Sequence, residues 1–327
     1  MTSPHIGRLF SAVLLAVGVM AATESAAWHG AGFPGFFVMP NRVVPSIALP
    51  GWSGVAEGRP LYQHVILAVD GVKTAGPGDV YQAAARHRAG DDVEYTVARD
   101  GAIESRVLPL RTFGTGEYLA IFGLYFLSGA CYLALAALAV ERRASNPTLH
   151  GGLAAVAWAG AAFALTAMDL YGPGRLFRVH AAAEALLPAA FAHLALVCPR
   201  DHLARRPGLL PLVYGVGCAW MVVYEVFLYD PRAYSVVHNA AQGLVVVPVL
   251  ALTAMLALAR SDALPDGVRV VRPLLVGSFI GILGPAIVLG ISGVSGGSVP
   301  VNACAWVSFV FPLAAMFAVR SGASQPA

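Results

Sequence analysis

A multi-pass α-helical membrane bundle carrying one small exported α/β domain is the fold class this sequence predicts, and three observations predict it. Of the 327 residues, 57% are hydrophobic and only 12% charged, where soluble domains carry roughly 25% charged residues. Mean hydropathy is +0.69. Beyond residue 116, apolar runs recur at lengths near the roughly 20 residues that cross a bilayer core. Residues 28–115, by contrast, hold turn residues, mixed charges and short alternating runs.

Residues 1–27 begin with His5 and Arg8 and continue into the apolar run Leu9–Ala22. Two readings stand. One is a signal-peptide core, with Ser25-Ala26-Ala27 as small residues at a cleavage site. The other is a first transmembrane helix extended through Ile6. Both export the 28–115 segment.

Within 28–115, Val65-Ile66-Leu67-Ala68-Val69 reads as a buried strand ending in an Asp70-Gly71 turn. Asp79 is placed to cap a short helix with Val80, Ala83 and Ala84 on its apolar face, and Gly90 stops it. Val93, Tyr95 and Val97 alternate with more polar residues, and Asp100-Gly101 turns the chain back into Ile103, Ser105 and Val107. The order is strand, helix, hairpin.

From residue 116 to 320 the chain holds seven spans, at 117–140, 149–170, 179–199, 208–229, 234–259, 270–292 and 299–319, with a short tail at 321–327. With the N-terminus inside, ten arginines fall on the cytoplasmic side: Arg8, Arg142, Arg143, Arg200, Arg205, Arg206, Arg260, Arg269, Arg272 and Arg320. Only three, Arg175, Arg178 and Arg232, fall in the short outer loops. The positive-inside rule therefore puts the 28–115 domain outside the membrane and the C-terminus in the cytoplasm.

Ionisable residues at membrane depth are costly and tend to face a cavity or one another. Asp169, His180, Glu184, Glu225 and His238 all come near the outer ends of their spans, and His180 and Glu184, at i and i+4, share a helix face. They are the candidate ligand or proton pocket, against the alternative of interfacial residues bonded to water and headgroups. His193, deeper on the cytoplasmic side, is expected to be a packed, hydrogen-bonded histidine.

The words VILAVDG at 65–71, Asp79-Val80, Gly90-Asp91-Asp92-Val93 and Tyr95–Gly101 together resemble a bacterial PDZ domain over about residues 51–110. The resemblance implies a small extracytoplasmic α/β PDZ-like domain able to add a peptide strand beside its helix. Its carboxylate-binding loop would be Gly32, Phe33, Gly35 and Phe36, with an additional Pro34. Gln63-His64 stands where the family usually has Gly-Asp.

The exported domain and the seven helices after it, with Leu165–Pro173, Ala183–Pro188 and His193–Pro199, are similar to the input half of bacterial sensor histidine kinases, the competence-pheromone sensors among them. The phospho-accepting dimerisation helix and ATP-binding domain of that family have no counterpart in 321–327, so kinase activity is not carried over.

Motifs for other chemistry are mostly missing. HExxH is absent, which argues against the zinc intramembrane proteases, and so is GxxxxGK[ST]. Gly290-Ile291-Ser292-Gly293 matches the rhomboid GxSG, but the last histidine is His238 and no later helix supplies the base; a flexible outer loop is expected there. Cys131, Cys198, Cys218 and Cys304 lie in apolar stretches without a CxxC pair. No cofactor or metal is expected. The net charge of +3 gives no argument for nucleic acid. The expectation is a sensory receptor without catalysis, its partners being membrane lipid, a peptide or small-molecule signal and a separate cytoplasmic kinase or regulator. The alternative is a membrane enzyme or transporter component using the outer polar cluster.

Overall fold

Asn, Asp and Pro punctuation decides where the helices begin. Asn146 caps one by accepting a hydrogen bond from Leu149 N at 3.1 Å, with Pro147 at the first helical position. Asp230 Oδ1 accepts from Arg232 N and Ala233 N at 2.9 and 3.1 Å, so another helix starts at Pro231, ahead of the expected residue 234. The last helix starts at Asn302, later than the expected 299, because Pro300 holds the preceding chain extended.

The computed structural model describes residues 4–58, 60–262 and 265–322, so positions 323–327 of the expected tail lie outside the described residues. Helix α1 is Pro4–Ser25. Next comes an extramembrane unit, with β1 (Gly32–Phe33), β2 (Val65–Val69), β3 (Val72–Lys73), α2 (Pro77–Ala84), β4 (Asp92–Arg99), β5 (Ala102–Pro109) and β6 (Arg111–Thr112). Then come α3 (Thr115–Glu141), α4 (Pro147–Ala167), α5 (Phe177–Val197), α6 (Leu209–Phe227), α7 (Pro231–Asp262), α8 (Val270–Val294) and α9 (Asn302–Ser321). Among the described residues, α1 and α3–α9 make eight helices long and apolar enough to cross a membrane. The chain is a helical bundle of membrane-protein character.

In the extramembrane unit the antiparallel order is β3-β2-β4-β5, and Ile66 faces Val97 across the β2–β4 pair. Both turns read from the sequence are left-handed: Asp70 and Gly71 have φ of 48° and 76°, and Asp100 and Gly101 51° and 86°. This is the geometry that two-residue hairpins require. Val44, Ile66, Val80, Val93, Tyr95 and Val97 form the sheet's own core.

In the bundle, α3, α4, α5, α7, α8 and α9 pack each on the next, and α9 returns to α3. The result is a closed six-helix ring. Hydroxyl pairs tie two of its seams: Ser128 to Ser308 between α3 and α9, and Thr253 to Ser278 between α7 and α8, each at 2.8 Å. Such pairs are the expected glue where lipid removes the hydrophobic drive between helices. Gly281 sits in a π-turn of α8 where a Cβ would collide with the backbone nitrogen of Phe311, so only glycine lets α9 approach. Helix α1 lies outside the ring against α3 and α4, and α6 outside against α5 and α7. Their exposed Leu9, Val13, Leu212 and Val226 need an apolar solvent.

The extramembrane unit is not a separate body resting on a linker. Trp28, Phe33, Phe37, Trp52 and Phe113 form one buried aromatic cluster with Phe122 of α3 and Tyr171 of the α4–α5 turn. Phe37 stacks on Tyr171 with ring centroids 4.2 Å apart and planes 14° from parallel. The unit covers one mouth of the ring, and its packing runs without a break into the helices.

Candidate functional site

Under that cover lies a cavity of about 110 Å³. Its roof is Met39, Pro45, Ser46 and Ile47 from the extramembrane unit; its walls include His180, Glu184, Tyr234, His238 and Gln242. Helix α5 places His180 and Glu184 one turn apart on its buried face, and α7 does the same with Tyr234, His238 and Gln242.

Glu184 and His238 are paired: Nδ1 of His238 lies 3.0 and 3.1 Å from the two carboxylate oxygens. On the far side of the ring, Gln242 Nε2 donates to His238 Nε2 at 2.8 Å. An imidazole nitrogen that accepts carries no proton, so in this arrangement the ring proton is on Nδ1 and is donated to Glu184. Tyr234 stacks on the same imidazole with planes 11° from parallel, and its hydroxyl donates to Met39 Sδ in the roof at 3.7 Å. The Tyr224 hydroxyl lies 3.4 Å from His238 Nδ1. Buried Gln242 Oε1 has no partner among the described residues. Turned over, the amide would offer that oxygen to a second proton on His238, so the cluster has two hydrogen-bonded arrangements available to it.

His180 faces the cavity from α5 but is fixed from α4. Its Nδ1 donates to Phe163 O at 3.1 Å, with Thr166 Oγ1 also at 3.1 Å, and its ring stacks on Phe163. A neutral ring donating from Nδ1 keeps its lone pair on Nε2. Among the described residues, no three His, Cys, Asp or Glu side chains converge to hold a metal ion.

The other two residues of the expected pocket are elsewhere. Asp169 is fully buried in the α4–α5 turn, where Oδ2 accepts from Leu176 N at 2.6 Å. Burial pushes its carboxyl above the usual range, against the pull of the Leu176 N–H, and neighbouring Glu24 of α1 pushes it further. Glu24 in turn accepts from Arg175 at 2.8 Å. The role of Asp169 here is to fold the turn. Gly174 in the same turn has φ 73°, and a Cβ there would collide with the Pro40 ring. Glu225 is an exposed surface residue of α6, ion-paired with Arg178 at 3.2 Å. One residue back, Tyr224 points inward. His193 bonds the Tyr214 hydroxyl at 3.1 Å.

Gly32, Phe33, Gly35 and Phe36 do not form an open peptide loop. Phe33 and Phe36 are buried, and Gly32 and Phe33 pair with β6. Beside α2, the Tyr81 hydroxyl accepts from Val38 N at 2.7 Å and donates to Val38 O at 3.4 Å. It thereby occupies both backbone polar groups of Val38.

The α8–α9 loop is strapped to the roof. Ser46 Oγ donates to Gly297 O at 2.5 Å, Val301 N donates to Ser46 O at 2.8 Å, and Arg99 Nη2 donates to Gly296 O at 3.3 Å. Ser292 is buried and donates to Val299 O at 3.0 Å, which makes it a fastening of this loop.

Compared with protein-family models, curated proteins and solved structures, the chain matches none.

Proposed function

We propose that the chain is a bacterial inner-membrane sensory protein. In this reading the extramembrane unit is PDZ-like and lies outside, and it serves as a plug over the ring in place of a peptide receptor. The signal is a small molecule or proton taken up at the Glu184–His238 cluster and passed to a separate cytoplasmic kinase or regulator. One observation carries the reading: the cavity is walled by ring helices and roofed by Met39, Ser46 and Ile47 of the extramembrane unit. Anything that binds there, or changes the charge of the pair, acts on the plug and on the helices at once, and differential interaction with two states is what a switch requires. The likeness to sensor-kinase input halves supports the same reading, as does the strand–helix–hairpin order of the plug.

The orientation is tested by reporter fusions. A periplasm-active enzyme fused after Thr112 is expected to be active, and one fused after Ser145 silent; the opposite pattern would place the plug in the cytoplasm. The function is tested by transcript profiling. Deletion of the gene is expected to change a discrete set of transcripts, and Glu184→Gln to change the same set at an unaltered membrane level of the protein. A deletion that alters solute uptake while transcripts stay unchanged would favour the transporter alternative.

A further inference from the structure

A second cavity, of about 390 Å³, opens at the other mouth of the ring, among the ends of α3, α4, α5, α8 and α9. Its volume falls within the roughly 300–1,000 Å³ of small-molecule sites, and it owes nothing to the cluster under the plug. Its floor is apolar, with Leu149, Leu153, Val197 and Leu274 among the lining residues. Its polar lining comprises Ser145, Asn146 and two basic groups. Arg142 stands at the rim, and its guanidinium makes no hydrogen bond or ion pair with a described residue. His150 lines the wall; it is only 5% exposed, and its Nδ1 has no partner among the described residues. Among the described residues, no carboxylate lines the cavity. Helix α4 also begins here, at Asn146-Pro147, and turns the positive end of its dipole to the rim.

A buried polar nitrogen and a guanidinium, both without a partner among the described residues, above an apolar floor together describe a complement: a negative headgroup continued by a hydrocarbon chain. We propose that this mouth binds one anionic phospholipid, the phosphate held by Arg142 and His150 and an acyl chain lying against Leu149, Leu153 and Leu274. Basic pockets between transmembrane helices take anionic headgroups by this means. The proposal does not depend on the sensory reading.

The test uses the full chain in nanodiscs containing equal parts phosphatidylglycerol and phosphatidylcholine, with native mass spectrometry after release. One phosphatidylglycerol per chain is expected to remain bound in preference to phosphatidylcholine. Arg142→Gln should lower that occupancy about fivefold, the effect of one basic residue at a headgroup. Arg205→Gln, at an exposed arginine that does not line the cavity, should leave it unchanged. Leu149→Trp, which fills the floor without altering charge, should also displace the lipid, and it stands as the second variant if Arg142→Gln is not recovered. Equal retention of phosphatidylcholine, or wild-type occupancy in Arg142→Gln, would overturn the proposal. So would displacement of the lipid by millimolar inorganic phosphate, which would identify a site for free phosphate.

Discussion

His238→Ala is expected to be among the most damaging single substitutions in the chain, destabilising it by about 3 kcal/mol, the cost of leaving a buried carboxylate without its hydrogen-bond donor. Glu184 is 7% exposed and His238 Nδ1 is 3.0 Å away from it. Removing the imidazole strands a carboxylate at membrane depth and also strands Gln242, whose Nε2 now bonds His238 Nε2. Glu184→Gln should cost less, because an amide needs less solvation than a carboxylate and its oxygen still accepts the Nδ1 proton. The double variant Glu184→Gln/His238→Gln, neutral and still able to hydrogen-bond, should be more stable than His238→Ala. Thermal unfolding in detergent micelles measures all three. If His238→Ala and the double variant unfold together, charge stranding is not the cause of the loss.

The second large effect is expected at Phe37. Its ring is fully buried, stacked on Tyr171 and edge-on to Trp28, Trp52 and Phe122. Phe37→Ala should cost about 3–5 kcal/mol through lost burial and the cavity left behind. Part of that loss is specific to the joint between plug and ring, since aromatic pairs add about 0.5–1.5 kcal/mol beyond their area. Phe37→Leu, which keeps most of the volume, should recover much of the stability. The accompanying sign is structural: the plug should loosen and become sensitive to protease while the helices stay intact. Uniform loss of helix and plug together would mean that the two do not separate as units.

The spans are legible in the sequence because a length near 20 apolar residues leaves few alternatives in a bilayer. The Asp70-Gly71 and Asp100-Gly101 turns are legible because their positive φ values demand those residue types. Which face of an apolar helix turns inward is not legible. Consecutive residues are rotated by about 100° on a helix, and α6 is apolar nearly all round, so Glu225 stands out by its charge while Tyr224 is the residue that faces His238. Asp169 shares the depth of Glu184 but folds back onto Leu176 N, a local bond that competes with any long-range role. The roof is hidden for a different reason: Met39, Ser46 and Ile47 carry no charge or motif, and only tertiary packing brings them over the cavity. The Asp230-Pro231 start of α7 carries a usable capping signal that span length alone overlooks.

The central claim is that the extramembrane unit is seated in the ring mouth over Glu184 and His238. Cysteine reactivity tests it most directly. Ile47 in the roof is 6% exposed and Val72 at the sheet's tip is 62% exposed. In purified protein carrying a single introduced cysteine, with the native four replaced, a soluble maleimide should modify Val72→Cys rapidly and Ile47→Cys far more slowly. Denaturant should then equalise the two rates. Equal rates in the native protein would contradict the account, because the plug would then stand clear of the ring and the cavity would have no roof.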